Sequence, residues 1–196
     1  MGKLIMVRHG ESEGNRDRRF TTTTEAPLTD LGREQAAMAA RHIARLFKPS
    51  LVITSPYTRA RDTGRIIAEA LNLPTEIEPQ LYERSFGYLR GQPYDAVRDD
   101  PAFDTEKMWL WRPEGGESYE DVRARIAPVI ERLAVRAAEH DLVVVSHGGV
   151  MMTCWAHVVG RWEDAQVPPN CGIVLLEHTD GRFLPPKTVE PHLIEH

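Results

Sequence analysis

The chain has 196 residues, with 24 Lys and Arg against 29 Asp and Glu, a net charge of −5 and 41% hydrophobic residues. That is enough chain for one domain with a sizeable core, and no apolar run approaches the roughly 20 residues a membrane span needs. The acidic balance argues against nucleic acid as a partner, so a polyanionic ligand would need a local cationic pocket. The two cysteines, Cys154 and Cys171, stand in apolar sequence and read as reduced packing residues. The opening apolar run is four residues long and is broken at once by Arg8-His9, which is no signal-peptide pattern, so a cytoplasmic location is expected.

In chain order, Leu4–Val7 reads as a short buried strand that stops at Arg8-His9-Gly10-Glu11. A strand ending this way delivers polar side chains to the carboxyl edge of a sheet, where open α/β sheets hold ligands. Glu11 to Pro27 is a polar loop carrying Arg16, Arg18, Arg19, Phe20 and four threonines, Thr21 to Thr24. These arginines are expected to form an electropositive lip over the Arg8-His9 edge. A Thr29 or Asp30 cap opens a helix to about Phe47 with Leu31, Ala39, Ile43 and Leu46 on its inward face. Leu51–Thr54 is a second strand, and Ser55-Pro56 is expected to begin a helix running to Leu71. Arg59 then lies in its first turn, facing the sheet edge; Thr63 follows one turn later, and Arg61 and Arg65 face solvent.

Thr75–Glu78 reads as a short strand near one edge, followed by Leu81-Tyr82-Glu83-Arg84. Residues 93–113 read as short helical pieces, with Trp109 and Trp111 packing over the site or the core. Ser118 with Asp121 makes a capping box with a shorter acid. The helix behind it, Tyr119 to Glu139, has Val122, Ile126, Val129, Ile130 and Leu133 in one stripe, with a kink or local distortion expected at Pro128. Leu142–Val145 repeats the opening pattern and ends in Ser146-His147-Gly148-Gly149, leading to a helix at Val150–Val159. A hairpin around Asp180-Gly181 and an irregular tail from Pro185 complete the chain.

Alternation of strands and helices argues an α/β fold: a mostly parallel central sheet with helices on both faces, a single domain over 1–196, and a cap-like insertion at about 84–115. The residues alone place Arg8, His9 and His147 at strand ends and Arg59 at a helix start. No His, Cys or carboxylate spacing argues for a metal. His42, His140, His157, His178, His192 and His196 read as structural or solvated.

The segments Arg8-His9-Gly10-Glu11, Asn15, Leu28–Gly32, Ser55-Pro56 with Arg59-Ala60 and Thr63, Leu81–Arg84, Gly116-Glu117-Ser118 and Ser146–Gly149 stand in one order and spacing. In that pattern the chain resembles the histidine phosphatase superfamily, also called phosphoglycerate mutase-like, over almost its whole length. The resemblance implies that His9 is a nucleophile forming a phosphohistidine, that Arg8, Arg59 and a protonated His147 hold the phosphoryl oxygens, and that Glu83 is general acid and base. It places Asn15 on the bound phosphate; Thr21, Thr22, Gly148 and Arg112 are further candidate substrate-binding positions, and a short cap with Arg16, Arg18, Arg19 and Arg112 suggests a small phosphomonoester with a second anionic group. No metal or other cofactor is required by this two-step chemistry. The expected partner is a small phosphorylated metabolite, with a homodimer left open.

The superfamily contains phosphatases and cofactor-dependent phosphoglycerate mutases. Mutases resemble Phe-Thr-Gly-Trp where this chain has Phe20-Thr21-Thr22-Thr23, carry Asn where it has Gly149, and carry Tyr and Lys where it has Phe86 and, by ungapped count, Tyr94. The stretch from Glu83 to His147 is also shorter than the mutase insertion. These departures favour metal-independent phosphomonoester hydrolysis, with the mutase as the alternative and a non-catalytic phospho-ligand-binding protein behind both.

Overall fold

Nearly every residue of the two strand runs that end in His-Gly is apolar, and a run with no polar alternation needs cover on both faces. In the computed structural model, which describes residues 2–21 and 23–189, both runs lie inside one sheet. The elements are β1 (Gly2–Arg8), a one-turn α1 (Glu13–Arg16), α2 (Asp30–Leu46), β2 (Leu51–Thr54), α3 (Thr58–Leu71) and β3 (Thr75–Ile77). Four 3-10 turns, Pro79–Leu81, Gly87–Leu89, Tyr94–Asp99 and Thr105–Lys107, carry the chain to α4 (Tyr119–Arg136). Then come β4 (Leu142–Ser146), α5 (Gly148–Val159), β5 (Ile173–Thr179), β6 (Arg182–Phe183) and β7 (Lys187–Val189).

The strand order is β3-β2-β4-β1-β5-β6, with β7 also on β5. The first four are mutually parallel; β5 runs antiparallel to β1. Side-chain parity divides the core in two. Leu4, Met6, Leu142 and Val144 pack with the Val122–Leu133 stripe of α4 and with α5. Ile5, Val7, Val143 and Val145 pack with Ala40 and Ile43 of α2 and with Ala60 and Ile67 of α3. Burying each such aliphatic side chain stabilises the fold by about 1.5–3 kcal/mol. What matters for the site is register. β1 and β4 are neighbours and Arg8 pairs with Ser146, so His9 and His147 leave the sheet side by side.

Several expectations are corrected. Leu31 and Leu46 do not face inward; each is 48% exposed, and the buried face of α2 is Gly32, Ala36, Ala39, Ala40 and Ile43. The cause is a close approach: a Cβ on Gly32 would stand 2.1 Å from the Glu11 carbonyl oxygen, so the helix turns its smallest residues to the His9 loop. Pro56 precedes α3, which starts at Thr58 behind Tyr57, although Arg59 is still in its first turn. Pro128 stands inside α4, which ends at Arg136. The segment after Pro185 is not irregular throughout, because the edge of β5 left free by the short β6 pairs Ile173–Leu175 with Lys187–Val189. Thr22, His192 and His196 lie outside the described residues. No described helix is long and apolar enough to cross a membrane.

Candidate active site

His9 is buried, and its Nδ1 lies 2.7 Å from the Gly10 carbonyl oxygen. A carbonyl only accepts, so Nδ1 carries the proton and Nε2 keeps its lone pair. Gly10 is itself held, its N–H donating to Thr63 Oγ1 (3.0 Å) while that hydroxyl donates to the Arg59 carbonyl (2.7 Å). Thr63 thus ties the first turn of α3 to the nucleophile loop. Arg59 Nε donates to His9 Nε2 at 3.2 Å. The His147 ring meets the His9 ring edge-on at 5.2 Å. Ser55 Oγ accepts from the Tyr57 amide and has one proton left for His147 Nε2 at 2.7 Å. With the Ser55 proton given to Nε2, a neutral His147 carries its ring proton on Nδ1.

Three buried nitrogens here have no partner: Arg8 Nε, Arg59 Nη1 and His147 Nδ1. Buried donors are normally satisfied, so a trio left open around one imidazole is a cradle for an anion. Arg8 is anchored by Nη1 on the Pro168 carbonyl (2.7 Å). Glu83 closes the opposite side, its Oε1 accepting from the Arg84 amide (2.8 Å) and its Oε2 from the Gly149 amide (3.2 Å). A Cβ on Gly149 would lie 2.6 Å from Glu83 Oε1, so the glycine leaves room for the carboxylate. The Glu83 loop is clamped from behind: Arg125 donates to the Tyr82 carbonyl and to Glu117, and Glu117 accepts from the Ser85 amide.

These residues open into a cleft of about 400 Å3. Arg8, His9, Asn15, Thr21, Arg59, Glu83 and Gly148 line it; His147 lies behind, against His9 and Tyr57. Arg112 does not reach the cleft, because it is drawn to Asp121 at 2.5 Å on the surface. The arginine lip also fails to form. Arg16 pairs with Asp17, Arg19 donates to the Gly91 carbonyl, and Arg18 is exposed with a left-handed backbone. Asn170 went unnoticed in the sequence; its Nδ2 donates to the His9 carbonyl (3.0 Å) and to Asn15 Oδ1 (3.2 Å). Nothing periodic marks the loop that holds it. Ser55 stands out in the sequence only through its place before Pro56. Among the described residues no three His, Cys, Asp or Glu side chains are grouped to hold a metal ion.

A protonated His147 is not what this environment favours. Burial, then Arg59, holds both His147 and His9 well below the usual imidazole value of 6.5; the Gly10 bond opposes this for His9. Lowered native values mean that the unfolded chain binds more protons, so stability is intact above pH 6.5 and is lost as pH falls below it. Urea unfolding without phosphate is expected to show stability falling as the pH is lowered from 7.5 to 5.5. A flat profile would mean that the two rings take up protons as readily in the native state as in the unfolded chain.

The histidine phosphatase superfamily (branch 1) matches residues 4–187. A metal-independent phosphoserine phosphatase of Arabidopsis thaliana is 31% identical over 162 residues, covering 80% of this chain and 68% of that protein. A 2,3-bisphosphoglycerate-dependent phosphoglycerate mutase of Chelativorans sp. is 39% identical over 169 residues, 81% of each chain. The solved structure of mycobacterial glucosyl-3-phosphoglycerate phosphatase with VO3 superposes with a TM-score of 0.82 at 26% identity, covering 96% of this chain and 97% of that one. With the family match spanning nearly the whole chain, and with His9, Arg8, Arg59 and Glu83 lining one cleft and His147 packed behind His9, the chain belongs to the histidine phosphatase superfamily.

Proposed function

We propose that the chain hydrolyses phosphomonoesters of small metabolites in two steps, through a phosphohistidine on His9 and without a metal. The observation that carries this reading is the lone pair of His9 Nε2, fixed outward and met by Arg59 Nε, with Arg8 Nε, Arg59 Nη1 and His147 Nδ1 left without partners beside it. Arg8, Arg59 and His147 Nδ1–H take the phosphoryl oxygens, and the Arg59 Nε bond to His9 gives way as the ester enters. Nε2 attacks phosphorus, the bond to the leaving oxygen breaks, and Glu83 in its acid form gives that oxygen a proton. Water then attacks phosphorus, the N–P bond breaks, and the Glu83 carboxylate takes the water proton. Inorganic phosphate leaves, and His9 returns to its starting tautomer. Residues 84–115 act as a cap over the cleft.

A phosphoglycerate mutase is the second reading, favoured by the 39% identity to a mutase. Against it, the chain carries Gly149 where a mutase is expected to carry Asn, and Glu83 Oε1 occupies the space beside that glycine, 2.6 Å from where a Cβ would stand. The deciding experiment is phosphate release from a panel of phosphomonoesters with EDTA present, beside a phosphoglycerate mutase assay. Hydrolysis under EDTA without interconversion is expected. Interconversion faster than hydrolysis would overturn the phosphatase reading.

A further inference from the structure

The phosphoryl cradle accounts for the floor of the cleft, and the outer walls are of a different kind. Phe20 meets Phe86 at 4.3 Å and Tyr94 edge-on at 5.0 Å, and Phe103 meets Trp111 edge-on at 4.9 Å. All five rings line the cleft. Phe86, Tyr94 and Phe103 are only partly buried, so ring surface is left for a ligand to cover. Beyond the cradle the cationic groups in the lining are Arg84 and Arg90. Arg84 is committed: it is buried, spends Nε on the Glu117 carbonyl and Nη2 on the Trp111 carbonyl, and stacks on Tyr119 at 4.3 Å. Arg90 is exposed and donates to Ser85 Oγ. The remaining polar lining is neutral, Thr21, Thr23, Thr24 and Ser85 among it.

A substrate with a second anion a few bonds from phosphorus needs a free cation close to the cradle; Arg84 is spent on backbone carbonyls, and Arg90, with one nitrogen on Ser85 Oγ, stands exposed to solvent. An aromatic or planar apolar group gains from just such walls, by burial and by edge or offset contact with the rings. Resting on the phosphatase reading above, we infer that the preferred substrates are phosphomonoesters whose leaving group carries an aromatic or planar apolar moiety, seated between the Phe20–Phe86–Tyr94 and Phe103–Trp111 walls.

The test compares kcat/KM under EDTA for 2-phenylethyl phosphate, ethyl phosphate and 3-phosphoglycerate. All three are esters of aliphatic alcohols, and the first two leaving groups are of similar acidity, so their difference reads contact with the phenyl ring. The phenyl ester is expected to be preferred over ethyl phosphate by about 10- to 100-fold, the range for burying one ring. Phe103→Leu and Phe86→Leu are each expected to lower that ratio several-fold, by acting more on the phenyl ester than on the ethyl ester. Rates for the two within about threefold would overturn the inference and leave the phosphatase reading standing. So would a preference for 3-phosphoglycerate of tenfold or more. No hydrolysis of any of the three by folded protein would overturn both.

Discussion

His9→Ala is expected to lower kcat by at least about 10^4-fold while the protein stays folded, because no other side chain can take the phosphoryl group where the cradle holds it. Of the two site imidazoles, His9 has its lone pair fixed outward, by Nδ1 on the Gly10 carbonyl. His147 cannot replace it, since its Nε2 is spent on Ser55. Circular dichroism and thermal melting check the fold. Acid quenching during turnover, followed by mass spectrometry, checks the covalent step: wild type is expected to carry a phosphoryl group on His9 and the variant none. Turnover within about tenfold of wild type would refute the nucleophile and with it the two-step scheme.

Glu83→Gln is expected to lower kcat by about 10^2- to 10^4-fold for alkyl phosphates, the usual range for removing a general acid. For an ester with an acidic leaving group, such as p-nitrophenyl phosphate, the first step needs no proton and is expected to survive. The second step still lacks its base. A burst of p-nitrophenol followed by a slow steady rate is the expected trace. The amide keeps the volume beside Gly149 but offers one acceptor where the carboxylate offers two, to Arg84 N and Gly149 N. Glu83→Asp, which retains the charge, separates that local rearrangement from loss of proton transfer. An equal loss for both ester types with no burst would show that Glu83 is structural.

Much of the sheet and half of the site were legible before any coordinates. Apolar runs that end abruptly in His-Gly have little choice but to be buried strands with polar ends, so Arg8, His9 and His147 could be placed. Arg59 followed from being in the first turn of the helix after a strand. Glu83 is different: it follows a 3-10 turn, Pro79–Leu81, with no period to mark its direction, and only the family resemblance singled it out. Arg16, Arg19 and Arg112 were misplaced because their local partners, Asp17, the Gly91 carbonyl and Asp121, are set by loop geometry that charge counting does not see. Leu31 was misplaced for the converse reason, since packing against the nucleophile loop selected the absence of a side chain at Gly32 over a large apolar one.

The position of β1 between β4 and β5 also sets when a working site can exist. Arg8 is held by the carbonyl of Pro168, and the His9 carbonyl by Asn170, across separations of 160 and 161 residues. During synthesis the strand that carries the nucleophile emerges long before either neighbour, at about 5–20 residues per second. Until β4 and the loop before β5 have cleared the ribosome, β1 is an apolar segment with two open edges, a form prone to wrong pairing. Such long-range closure places folding on the slow side for a chain of this size. A nascent chain that stops short of Pro168 lacks both of the bonds that hold Arg8 and the His9 carbonyl at the site.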